Sequence, residues 1–232
     1  MDIEYIFSTI IKLLPYTLVT LEVVFQAFLL GCIFGGLLAW AKLGKSSLWK
    51  RIAYGYTTMI RCTPFIIMLF LVFYGIPYLF VPLGVDTNVI SKKVYAVIAL
   101  TMYTSSNLSD NFRAAYLSIN KGQREAAICV GMTELQALRR IILPQMIFIV
   151  LPMVSNVIVS EIQDTALAFT IGLVDLMGQA KVIDALGYNV HTLPIYTAAA
   201  LIFWGLAIVC EKIIKLIHDD LGNRKKLNTY GR

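Results

Sequence analysis

Residues Arg124 to Gln145 read REAAICVGMTELQALRRIILPQ, the longest charge-rich stretch between apolar runs in the chain. The segment fits two short helices hinged on Gly131. Just upstream, Asn120 can cap a helix whose third residue is Gln123, so the first helix is expected from about Lys121 to Val130. Gly131 then suits a left-handed turn. Thr133 followed by Gln136 repeats the capping arrangement, and the second helix is expected to reach Arg140 before Ile141 to Pro144 lead into an apolar run. A DNA-reading helix-turn-helix would look similar, so the surroundings must decide.

The surroundings are oily. Of 232 residues, 58% are hydrophobic and 15% charged, against about 25% charged in a soluble domain, and the mean hydropathy is +0.74. An all-α integral membrane protein is expected, as one transmembrane domain over residues 1–232. Runs of about 20 apolar residues place spans near 16–41, 58–83, 93–116, 141–163 and 194–217. The net charge of +6 concentrates in the segments 42–51, 117–140 and the tail. Surplus Lys and Arg on one side mark cytosolic loops, which puts the N-terminus outside and the tail in the cytosol. The hinge is then cytosolic, and a recognition helix pressed against a bilayer could hardly enter a major groove. No nucleic-acid partner is expected.

Residues 3–14 carry Ile3, Ile6, Phe7, Ile10, Ile11 and Leu14 at near-helical spacing, fitting either a surface helix or an extension of the first span. Short helices covering the external side are expected between the last two spans. Met1-Asp2-Ile3-Glu4 lacks the basic start of a secretory signal, so no cleavage is expected. Cys32, Cys62, Cys129 and Cys210 lie far apart, and His191 and His218 are isolated, so no disulfide framework or metal site is expected.

The hinge carries a family resemblance. Glu125-Ala126-Ala127, three residues, Gly131, nine residues, Ile141, one residue and Leu143-Pro144 resemble the EAA loop of ABC importer permeases. IRCTP (Ile60 to Pro64), YGIP (Tyr74 to Pro77), SDNFRAA (Ser109 to Ala115), KGQREAA (Lys121 to Ala127) and EIQDTALA (Glu161 to Ala168) resemble the permeases for polar amino acids. Cys62 stands where that family has glycine, Asp110 for glutamate, Glu161 for an apolar residue and Gln163 for lysine. The resemblance implies a type I importer fold in which the first hinge helix sits in a groove of an ATPase subunit and transmits its motion. It assigns Glu125, Ala126, Ala127, Gly131, Leu143 and Pro144 to coupling. It also implies an ATPase dimer, a second permease subunit, identical or not, and an extracytoplasmic amino-acid-binding protein.

Ionisable groups inside spans usually face a cavity or one another. Asp110 and Arg113, three apart, can pair, and Arg61 fits an interfacial anchor or a gate contact. Asn156, Ser160 and Asp164 recur every fourth residue with Gln163 beside them, a stripe expected to line a path or a subunit interface. Glu161 and Asp164 can approach a common ligand, or pair across a dimer interface. These seven, Arg61, Asp110, Asn156, Ser160, Glu161, Gln163 and Asp164, are the candidates for contact with substrate.

Uphill transport needs a coupled source, but the sequence shows no phosphate-cradling G-x-x-x-x-G-K-[ST]. AWAKLGKS (Ala39 to Ser46) is the nearest approach, with alanine in place of the first glycine. ATP and its Mg²⁺ are therefore expected on a partner chain, and no bond chemistry in this one. An ion-gradient-driven carrier or channel is the alternative that the intramembrane carboxylates alone would permit.

Overall fold

The computed structural model describes residues 3–80 and 89–230, with side chains as far as residue 222. Among the described residues the regular structure is entirely helical. Helix α1 (Ile3–Leu13) runs through a single 3₁₀ turn at Leu14–Tyr16 into α2 (Thr17–Leu43). Together they form one helical stretch of 41 residues, apolar enough to cross a membrane. Of the two placements open to residues 3–14, extension of the span is the one observed. Ile6 and Leu13 bury one face of α1 against Leu176, Ala180, Ile195 and Ala198, while Ile3, Phe7, Ile11 and Leu14 stay exposed.

The segment expected as a second span is broken. Helix α3 (Ser47–Cys62) ends at Thr63, and α4 (Phe65–Phe80) leaves it at a bend of 109°. Pro64 explains this, because proline forces the preceding residue out of the helical region and Thr63 is extended at φ −99°, ψ 124°. The apolar piece therefore starts at Phe65 rather than residue 58, and residues 81–83 of the expected span lie outside the described region.

The expected span at 93–116 coincides with α5 (Lys92–Ser118), the central helix. Three described helices are long and apolar enough to cross a membrane, Ile3–Leu43, Glu134–Ile171 and Thr192–Gly222, and the bent pair makes a fourth. Helix α5 is not among them, so composition does not by itself bear out five spans. Its polar side chains Thr101, Thr104, Ser105, Ser106 and Ser109 are buried by neighbouring helices rather than presented to lipid. The closest neighbour is α2, where Gly31 and Gly35 let the two backbones approach. A Cβ on Gly31 would lie 2.5 Å from Thr104 Cγ2, and one on Gly35 3.1 Å from the Ser105 carbonyl.

After α5 come two short helices, α6 (Lys121–Cys129) and α7 (Glu134–Ala137), then a π turn at Leu138–Ile142 and α8 (Leu143–Thr165). A 3₁₀ segment at Ala166–Ile171 and α9 (Leu176–Leu186) are the short elements expected before the last span. Helix α10 (Thr192–Tyr230) continues well past the expected end at 217. It returns alongside α8, with His218 stacked on Phe148 at 4.2 Å.

Candidate functional site

The hinge is built from local backbone chemistry. The Asn120 side chain accepts from the Gly122 amide at 2.8 Å and starts α6. At its other end the Met132 amide donates to the Ala127 carbonyl and the Gly131 amide to that of Ile128, the paired closure of a Schellman turn. Gly131 makes this possible at φ +87°. Thr133 and Gln136 then form a reciprocal capping box. Both caps and the glycine fall where the sequence places them, while α7 stops at Ala137 and the wider π turn takes over.

Ala127 and Ala137 are fully packed, whereas Glu125, Ala126 and Gly131 present their surfaces to the exterior, as do Leu143 and Pro144 at the exit into α8. The second alanine of the motif thus fastens the knob and the first is left free. One contact escaped the sequence reading: Arg124 clasps Glu134 through two contacts, its Nε donating to Oε2 at 2.8 Å. The partners are ten residues apart across a turn, so no helical periodicity announces them. Each holds the other in its charged form. Glu134 lies below the usual carboxylate range because Arg124 donates to it, and Arg124 is raised by the same bond.

A charged node lies where α2, α3 and α5 meet. Lys42, 3% exposed, donates to Asp110 at 2.6 Å and to Ser109 at 2.8 Å. Arg61 reaches the other Asp110 oxygen at 2.8 Å. The expected Asp110–Arg113 pairing gives way to these two cations, because Arg113 lies over the Tyr54 ring instead, 5.8 Å from its centroid. Charge pattern groups Lys42 with the basic loop. Its spacing from Gly31, Gly35 and Ala39 on the buried stripe of α2 is the signal that could have found it.

On α8, Asn156, Ser160 and Gln163 share an exposed face, with Asp164 half-buried at its edge. Glu161 points elsewhere. It is 2% exposed, wedged towards Cys32 of α2 and Thr104 of α5. The Thr104 hydroxyl faces the carboxylate, yet neither oxygen has a partner at hydrogen-bonding geometry. The seven candidates thus fall into three places: Arg61 and Asp110 at the node, four residues on or beside the open face of α8, and Glu161 behind it. Among the described residues no cluster of His, Cys, Asp or Glu could hold a metal ion.

Residues 6–222 match the model of the binding-protein-dependent transport system inner membrane component. The chain belongs to this family. The L-cystine transport system permease protein TcyL of Bacillus subtilis is 32% identical over 210 residues, covering 90% of this chain and 87% of that protein. The probable amino-acid permease protein YxeN of the same organism is 35% identical, covering 97% and 94%. The nopaline transport system permease protein NocM of Agrobacterium fabrum is 31% identical, covering 93% and 90%. Among solved structures, an amino acid ABC transporter crystallised with histidines superposes with a TM-score of 0.81 at 26% identity, covering 95% of this chain and 99% of that one. The inward-facing MetNI methionine ABC transporter shares the fold, with a TM-score of 0.70 at 19% identity and the same coverage. As a binding-protein-dependent transport component, the chain is an inner-membrane protein.

Proposed function

We propose that this chain is the membrane-spanning permease subunit of an ATP-driven ABC importer for a polar amino acid. The observation that carries this reading is the hinge: a rigid, doubly capped knob that exposes Glu125 and Ala126 and continues through Leu143 and Pro144 into the helix bearing the polar face. The names of the relatives, cystine, nopaline and general amino-acid permeases, supply the substrate class. They do not favour an ion-gradient-driven carrier.

On this reading an ATPase dimer docks on the hinge, ATP and Mg²⁺ bind to that partner, and the chain itself makes and breaks no covalent bond. A binding protein delivers substrate on the opposite side. The whole chain acts as one domain beside a second permease subunit, with the N-terminus outside and the tail in the cytosol. Asn156, Ser160, Gln163 and Asp164 line the path, where side-chain amides and a carboxylate suit the ammonium and carboxylate of a free amino acid. Arg61 and Asp110 gate its inner end, and Glu161 supports the wall from behind. The test is ATP-driven uptake by the reconstituted complex with Gly131→Pro, which removes both the left-handed residue and its amide donor. Uptake should collapse while the complex still assembles. Undiminished uptake would count against the hinge as relay.

A further inference from the structure

An apolar groove of about 880 Å³ runs between α2, α3 and α5. Leu30, Phe34 and Leu37 form one wall, Trp49 and Ile52 the other, and Met102 lies on its floor. Along α2 the groove extends from Leu30 to Gly44, about 20 Å at 1.5 Å per residue. One leaflet contributes roughly half of a hydrocarbon core about 30 Å thick, so the groove is long enough for a chain reaching from the interface to the bilayer midplane.

Its two ends differ. The Leu30 end is uncharged, with Thr101 and Ser105 of α5 as polar lining residues, whereas the Gly44 end opens on Lys45 and Ser46. There α3 begins, with no side chain capping its first amides and no acidic residue in its first turn. Lys45 and Arg51 are exposed nearby. A helix N-terminus adds partial positive charge to these cations, and none of the described lining residues is acidic. Trp40 and Trp49, 75% and 61% exposed, stand beside the same end. Tryptophan at that position is typical of the headgroup level of a membrane.

We infer that this groove is a binding site for an anionic phospholipid of the surrounding bilayer, one acyl chain lying against α2 and the phosphate held at Lys45, Ser46 and the start of α3. Charge complementarity selects this occupant over a zwitterionic lipid. An uncharged apolar segment of another protein would bring no anion to Lys45 and Arg51, and Glu134, the acidic neighbour of Lys45 among the described residues, is already clasped by Arg124. Because the groove is walled by both α2 and α3, an occupied site splints the joint on which the Lys42–Asp110–Arg61 node sits.

The experiment uses the assembled complex in phosphatidylcholine nanodiscs doped with either phosphatidylglycerol or phosphatidylcholine carrying a diazirine on the acyl chain. After irradiation, labelled peptides are mapped by mass spectrometry. Labelling concentrated at 30–56 and 98–105, several-fold stronger from the anionic probe and reduced several-fold by K45E, supports the site. A41F, which fills the groove without touching its charge, should abolish labelling from both probes. Equal labelling by the two lipids, labelling spread evenly over α10, or cross-linking of these peptides to a second copy of the chain would overturn it. Variants are compared only where size-exclusion profile and melting temperature match the parent.

Discussion

Arg124 and Glu134 close the glycine turn from outside, Nε to Oε2 at 2.8 Å, with both side chains open to solvent. Exposed pairs add little to global stability, so this clip acts locally, fixing the angle between α6 and α7. Arg124→Ala should leave the melting temperature unchanged and speed amide exchange across 121–137. ATP-driven uptake should fall, and the swap R124E/E134R should recover it. A swap no better than the single change would assign Arg124 to the docking surface rather than to the clip.

The same pair gives the hinge a pH dependence. Because Arg124 lowers the Glu134 pKa below its ordinary 4.5, the clip contributes fully above that value and is lost as pH falls through the depressed folded-state value. Hydrogen exchange of the α6 and α7 amides should therefore hold steady down to about pH 4.5. Intrinsic exchange corrected, protection should fall only in more acidic solution, and E134Q should show no such step.

At Gly131 the constraint is conformational. A Cβ there meets nothing within 4 Å, so substitution costs only what an L residue pays at φ +87°, roughly 1–2 kcal/mol. Asparagine tolerates that region best after glycine. Uptake should rank Gly, Asn, Ala, then Val, and a flat series would show that the turn is not needed in this conformation.

These positions also mark how far the sequence could be read. Caps and the left-handed glycine are local, so Asn120, Thr133, Gln136 and Gly131 were legible from residue identity. The bend at Thr63 is hidden from a hydropathy pattern even though Pro64 causes it, because hydropathy averaged over a window runs straight through a proline. Partners across helices were the least legible. Asp110 has Arg113 at helical spacing, but its actual partners Lys42 and Arg61 come from other helices, and only packing decides between them. Glu161 and Asp164 look equivalent on a helical projection. One faces the seam with α2 and α5, and the other borders the open face.

The seam between α2 and α5 tolerates no added volume at Gly31, where a methyl would sit 2.5 Å from Thr104 Cγ2, while Gly36 faces open space. Overpacking costs roughly 1–3 kcal/mol. Gly31→Ala should lower the melting temperature of the purified complex, and Gly36→Ala should leave it unchanged. Equal behaviour would mean that the helices can part without loss.

Glu161 is a buried carboxylate with two unpartnered oxygens, and such groups are costly, roughly 1–3 kcal/mol each. Glu161→Met, which keeps the volume and removes the polar atoms, should raise thermal stability. If the carboxylate supports the wall of the path, the same change should slow uptake, the usual exchange of stability against function. A variant that is less stable would reveal a partner for Glu161 in the assembled complex.

The node at Asp110 separates the value of a charge pair from the cost of breaking one. Lys42 is sealed from solvent while Arg61 is half-exposed, so losing the carboxylate strands Lys42 far more than Arg61. Asp110→Asn should cost about 3–5 kcal/mol, the penalty of an uncompensated buried charge. Lys42→Met alone leaves Asp110 with Arg61 and should cost clearly less. The double variant K42M/D110N removes the buried ammonium together with its partly exposed carboxylate partner and should recover most of the loss, which a double-mutant cycle on thermal unfolding measures directly. Arg61→Ala should leave stability nearly unchanged and alter transport alone, because Asp110 keeps Lys42 as its partner and a half-exposed cation contributes little to stability. Additive losses in K42M and D110N would mean that the two side chains act independently and that no buried pair ties α2 to α5.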